Sequence, residues 1–120
     1  RGIVDAFATN GAFLGRVASH GALNAPWGLA WAPADFGRFS NDLLVGNFGD
    51  GKVNAYRLDD SHWRPDGQLK DARRKPIVID GLWAIEFGGG APKNGQTNEL
   101  FFTAGPNGEA GGAFGTITAP

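Results

Sequence analysis

The chain has 120 residues, no cysteine and a net charge of −1. The absence of cysteine excludes a disulfide framework and a thiolate metal site. The charge is close to neutral, so it does not indicate binding to nucleic acid. No stretch approaches the roughly 18 consecutive apolar residues that a membrane-spanning helix needs. The 20 glycines and 7 prolines separate short apolar runs, a pattern typical of short strands joined by tight turns.

Taken in chain order, the apolar runs predict nine short strands and no long helix. The turns between them are marked by pairs such as Asn10-Gly11 and Asp50-Gly51, since both central positions of a type I′ hairpin turn need positive φ. The polar segment 59–74 is predicted to be mostly a projecting loop. The predicted strands cover about 2–8, 13–18, 27–32, 42–47, 52–58, 68–71, 82–88, 99–104 and 113–118.

Side-chain alternation assigns two faces to the strand at 27–32. Trp27, Leu29 and Trp31 share one face, and small residues occupy the other. We expect the large face, together with Trp83 in a later strand, to form the core between neighbouring sheets. The alternative is that these indoles stack on sugars or bases. The continuous apolar run 43–45 predicts a strand buried on both faces.

A repeat organises these strands. Ile3-Val-Asp-Ala-Phe7 returns as Lys52-Val-Asn-Ala-Tyr56 and, more weakly, as Ala113-Phe-Gly-Thr-Ile117. Repeats of this length made of short strands are typical of β-propeller blades. The prediction is an all-β partial propeller of about two to two and a half four-stranded antiparallel blades. Its parts are the end of one blade at 1–18, a complete blade at 27–74 and the start of a third at 82–120.

The segments Pro26-Trp-Gly-Leu-Ala30 and 42–56 resemble the blades of NHL-repeat β-propellers. They are also similar to a group of uncharacterised exported bacterial propeller proteins, some of which carry PEP-CTERM-type sorting signals. The resemblance implies a fragment of an NHL-like propeller and an extracellular or periplasmic location. It implies no single function, because the NHL propellers include peptide-binding, RNA-binding and lyase members.

Three residues are candidate metal ligands, because carboxylate and amide oxygens bind Ca²⁺. Asn47 and Asp50 flank a turn, and Glu86 lies on a strand that would line a propeller channel. The alternative is structural: Asp50 serves the turn, Asn47 bonds to backbone, and Glu86 bonds to a neighbouring blade. No catalytic residue is predicted, since Ser19, His20 and Asp5 lack a nucleophile motif and His20 is interpreted as a loop residue.

These observations favour a non-enzymatic binding or scaffold module whose ligand is unknown. The first alternative is part of a divalent-cation-dependent hydrolase or lyase of the lactonase kind, and the second is a self-assembling blade fragment. The expected partners are the remainder of its own propeller or copies of itself, without nucleic acid and without a membrane span.

Overall fold

The computed structural model describes all 120 residues, as an all-β protein of nine strands in three antiparallel sheets. Strands that follow each other within a sheet are hydrogen-bonded neighbours, so each sheet is a simple meander. The all-β prediction is confirmed, and a single 3₁₀ turn covers Gly37–Phe39. Sheet I contains β1 (Ile3–Phe7) and β2 (Phe13–Ser19); sheet II contains β3 (Pro26–Trp31), β4 (Leu43–Asn47), β5 (Val53–Asp59) and β6 (His62–Gln68); sheet III contains β7 (Leu82–Phe87), β8 (Glu99–Ala104) and β9 (Ala113–Thr118).

The outer strand of sheet II lies earlier in the chain than predicted. β6 begins at His62, directly opposite Asp59, whereas the sequence predicted a loop here and a strand near 68–71. Asp60 and Ser61 have φ of +46° and +67° and make the two-residue turn. Aspartate tolerates the left-handed conformation, so this hairpin forms without a glycine to mark it.

Sheet II lies between the other two sheets and is buried on both sides. Leu44 belongs to the core that sheet II shares with sheet III, together with Leu82 and Leu100. Val45, the next residue, belongs to the core shared with sheet I, together with Val17. The prediction that strand 43–45 is buried on both faces is confirmed, because successive side chains of a strand point to opposite faces.

The prediction for the faces of β3 is wrong in one respect. Trp27, Leu29 and Trp31 do share a face, but they are 71%, 54% and 56% exposed. The small face of β3 is packed instead: a Cβ added to Gly28 would lie 3.0 Å from the Ile85 backbone nitrogen on β7. β3 and β7 approach so closely that only small side chains fit between them.

The three sheets stack without closing into a ring, so a partial propeller is not confirmed by the fold itself. The only helical segment is the short 3₁₀ turn, and the fold contains no helix of the length and apolarity that spanning a membrane requires.

Candidate functional site

Four connecting loops meet at one end of sheets II and III. The backbone N–H of Phe48 donates to the carbonyl of Ala25, which ties the β4–β5 loop to the β2–β3 loop. The N–H of Ile79 donates to the carbonyl of Gly51 at 2.8 Å. The N–H of Gly105 donates to the carbonyl of Gly81 at 2.8 Å, which joins the β6–β7 and β8–β9 loops. We call this edge the loop end.

A cavity of about 300 Å³ opens at the loop end and is lined by four residues. Trp27 and Trp83 are the second residues of β3 and β7, Phe48 follows β4, and Glu109 lies in the β8–β9 loop. Trp27 is mostly exposed, Phe48 and Trp83 are half-buried, and Glu109 is exposed. We call this site the aromatic pocket; it presents three aromatic rings and one carboxylate.

Backbone geometry positions the Trp83 ring and the Glu109 loop. A Cβ added to Gly105 would lie 2.2 Å from Cζ2 of Trp83, so the indole packs where only glycine leaves room. Glu109 has a φ of +69°, and its N–H donates to the Gly105 carbonyl at 3.1 Å. The Asp80 carboxylate accepts a hydrogen bond from the N–H of Asn107 at 2.9 Å, which fastens the same loop.

The structure brings two of the three candidate metal ligands together. Nδ2 of the fully buried Asn47 donates to the Ala22 carbonyl at 2.8 Å and to Oδ1 of Asp50 at 3.1 Å. Oδ1 of Asp50 also accepts from the N–H of Lys52 at 3.1 Å, while Oδ1 of Asn47 has no partner. Glu86 lies exposed on β7, outside this network. These contacts fasten the β2–β3 loop to sheet II.

Nowhere in the fold do three or more His, Cys, Asp or Glu side chains come together in a metal-binding arrangement. Asp5 pairs with Arg16 across sheet I. His20 lies in the turn after β2 with a φ of +56°.

Sequence reasoning missed a pair of carboxylates, Asp42 directly before β4 and Asp66 on β6. Asp42 is only 2% exposed; burial, and then a hydrogen bond to Asp66, raise its pKa to about 6. Asp66 accepts from Nη1 of Arg38 at 2.9 Å and from Nη2 of Arg57 at 3.0 Å. Although burial opposes the shift, the hydrogen bonds from Arg38 and Asp42 lower the pKa of Asp66. Below about pH 6 the Asp42 carboxyl is protonated and can donate a hydrogen bond to the ionised Asp66.

This pair makes stability depend on pH. The pKa of Asp42 is raised on folding, so its contribution is complete below about pH 4 and is lost as the pH rises through about 6. We expect Asp42→Asn, whose amide can still donate to Asp66, to raise the free energy of unfolding at pH 8 by on the order of 1–3 kcal/mol. At pH 4 the change should be small.

Urea denaturation of the Asp42→Asn variant between pH 4 and 8 checks this expectation, with Asp35→Asn at an exposed position as the matched control. A parallel pH dependence in the Asp42→Asn variant and the parent protein would contradict it. Below about pH 4 the opposite effect of Asp66 applies, because a carboxyl whose pKa is lowered on folding loses its contribution as the pH falls.

Comparison with known proteins finds relatives in a virus. The chain is 37% identical over 116 residues to "Uncharacterized protein R648" of Acanthamoeba polyphaga mimivirus, covering 97% of the chain and 27% of that protein. It is 36% identical over 103 residues to "Uncharacterized protein L690" of the same virus, covering 86% of the chain and 25% of that protein. It is 35% identical over 92 residues to "Uncharacterized protein R640", covering 77% of the chain and 17% of that protein.

No protein-family model and no solved structure matches the chain. The resemblance to NHL-repeat propellers of exported bacteria is therefore wrong: the relatives found are viral, no NHL model matches, and the sheets do not close into a ring. The extracellular or periplasmic location rested on that resemblance alone and stays a prediction. The chain spans about a quarter of the length of the first two mimivirus relatives.

Proposed function

We propose that the chain is a non-enzymatic binding and scaffold module in which sheets I, II and III are consecutive blades of an incomplete β-propeller. The observation that carries this proposal is the repeated packing of one sheet on the next. Ligands would bind at the loop end, where the connecting loops of neighbouring sheets meet.

The packing repeats at corresponding positions of the sequence repeat. Val4 in β1 is buried in the core between sheets I and II. Val53, its counterpart in β5, is buried in the core between sheets II and III. Equivalent side chains thus face the next sheet in each step, which is how blades of a propeller succeed one another.

The large face of β3 supports the same proposal. On its small face β3 is covered by β7, the first strand of sheet III. Sheet I contains only β1 and β2, which correspond in the repeat to β5 and β6 of sheet II. Sheet I therefore has no strand that corresponds to β3 and could cover Trp27, Leu29 and Trp31. An exposed apolar face of this kind is typical of an interaction surface.

We assign the cover of Leu29 and Trp31 to further strands of the same propeller, paired to the free edge of β1, whereas Trp27 lies at the loop end and also lines the aromatic pocket. The mimivirus relatives are long enough to contain such strands, since the chain spans only 27% of R648. Copies of this chain are the other candidate cover. The hydrolase or lyase alternative stays a prediction that no contact in the structure favours.

Residue-resolved labelling of the four indoles tests the assignment. In the 120-residue chain we expect Trp27 and Trp31 to react faster than Trp63 and Trp83, in keeping with their exposure. In a longer protein that contains the proposed strands, Trp31 should become protected by about tenfold or more. Unchanged labelling would contradict the blade proposal. Protection that appears in the 120-residue chain as its concentration rises would assign the cover to copies instead.

A further inference from the structure

We infer that the aromatic pocket binds a positively charged ammonium group, methylated or quaternary. The inference rests on the proposed binding function, because it names the class of ligand for the loop end. All four lining residues belong to this chain, so the inference can be tested on it.

The residues that line the pocket favour a positively charged ligand. Three aromatic side chains, Trp27, Phe48 and Trp83, line the pocket, and Glu109 is the one charged residue among the four. The electron-rich face of an aromatic ring attracts a cation within about 6 Å of its centre, and indole does so best. A carboxylate beside the rings repels an anion and attracts the same cation.

The small number of polar groups argues against a sugar. A sugar that stacks on indoles also needs hydrogen-bond partners for its hydroxyl groups around the ring. Among the lining residues, Trp27 and Trp83 each provide one indole N–H, and Glu109 provides the carboxylate. A quaternary ammonium group needs none of these partners, and a cavity of about 300 Å³ is large enough to admit it.

The fold holds the backbone at Glu109 in an unfavourable conformation beside the pocket. With a φ of +69°, Glu109 adopts a backbone conformation that favours glycine, although glycines surround it at positions 108, 111 and 112. The left-handed conformation is unfavourable for a residue with a side chain, so the surrounding structure has to hold it there. The hydrogen bonds of the loop to Gly105 and Asp80 hold the strained turn in position.

The test compares choline with 3,3-dimethylbutan-1-ol, which has the same shape and no charge. We expect choline to shift the indole NMR signals of Trp27 and Trp83 and to leave Trp63 on β6 unchanged. The uncharged analogue should bind at least about tenfold more weakly. Equal shifts from both compounds, or no shift from choline, would overturn the inference.

Substitutions test the contributions of the carboxylate and of the aromatic rings separately. Glu109→Gln and Trp27→Leu should each weaken choline binding about threefold to tenfold. Trp31→Ala is the matched control: Trp31 lies on the same face of β3 but contacts Trp63 and not the pocket, so its affinity should equal that of the parent. Glu109→Gly, which relieves the strained φ, should lose affinity while the protein stays folded. Full affinity in Glu109→Gln and Trp27→Leu would overturn the inference.

A second binding experiment, with a peptide, identifies the source of the ammonium group. A peptide with one trimethyllysine that binds more than about tenfold tighter than choline would assign the ligand to a protein side chain, and equal affinity would assign it to a free small molecule. Failure of this inference is distinguishable from failure of the blade proposal. The first is read from the preference for charge, and the second from indole protection in the longer protein.

Discussion

Replacing Gly81 by alanine is expected to destabilise the protein by about 2–5 kcal/mol. Gly81 has a φ of +68°, and a Cβ there would lie 2.1 Å from the carbonyl oxygen of Gly105. The substitution therefore adds left-handed strain to a collision with backbone, which cannot rotate away as a side chain can. Relief of the collision would also stretch the hydrogen bond between these two residues.

Gly11→Ala is the matched control for this effect. Gly11 also has a positive φ, +90°, but nothing lies within 4 Å of a Cβ built there. It should cost only the conformational part, about 1–2 kcal/mol. Urea denaturation followed by tryptophan fluorescence measures both variants. Equal losses would contradict the close approach of the β6–β7 and β8–β9 loops.

The second large effect is expected from Leu44→Ala, at about 2–5 kcal/mol. Leu44 is fully buried in the core between sheets II and III, so truncation removes apolar contacts and leaves a cavity that the strands cannot fill. Leu58→Ala, at a position 48% exposed, is the control and should change stability by at most about 0.5 kcal/mol. Equal urea midpoints for the two variants would show that sheet III does not pack against sheet II as described.

Much of the strand order could be predicted because the signals for it are local. The strand predicted at 42–47 is observed at Leu43–Asn47, and the one predicted at 82–88 is observed at Leu82–Phe87. Apolar runs and side-chain alternation express these strands in a few consecutive residues. β6 was missed because its turn consists of Asp60 and Ser61. Both residues adopt positive φ here, but they do not form the Asn-Gly or Asp-Gly pair by which a hairpin turn is recognised in a sequence.

The packing of β3 could not be predicted from alternation alone. Alternation separates Trp27 and Trp31 from Gly28 and Ala30, but it does not say which face a neighbour will cover. That depends on how closely β7 approaches, and β7 lies more than fifty residues later in the chain. Large apolar side chains are usually buried. On β3 the small side chains are buried instead, because the backbones of β3 and β7 approach too closely for large ones to fit.

The residues of the candidate site could also be predicted only in part from the sequence. Trp27 and Trp83 stood out in the sequence, whereas Phe48 and Glu109 did not. Phe48 carries one available signal, as an aromatic residue in an otherwise polar turn. Glu109 carries none, because its position beside the indoles results from a loop anchored by Gly105 and Asp80. The buried Asp42 was likewise hidden, because Asp66 comes beside it only when β6 pairs with β5.

The most direct test of the account is the contact made by Gly28 in the 120-residue chain. The structure places the small face of β3 on β7, with a Gly28 Cβ position 3.0 Å from Cγ1 of Ile85. A nuclear Overhauser spectrum should show cross-peaks between the Gly28 α protons and the Ile85 side chain, and none between Leu29 and Ile85. Cross-peaks from Leu29 to Ile85 in place of those from Gly28 would show that the large face is the packed one and would contradict the stacking of the sheets.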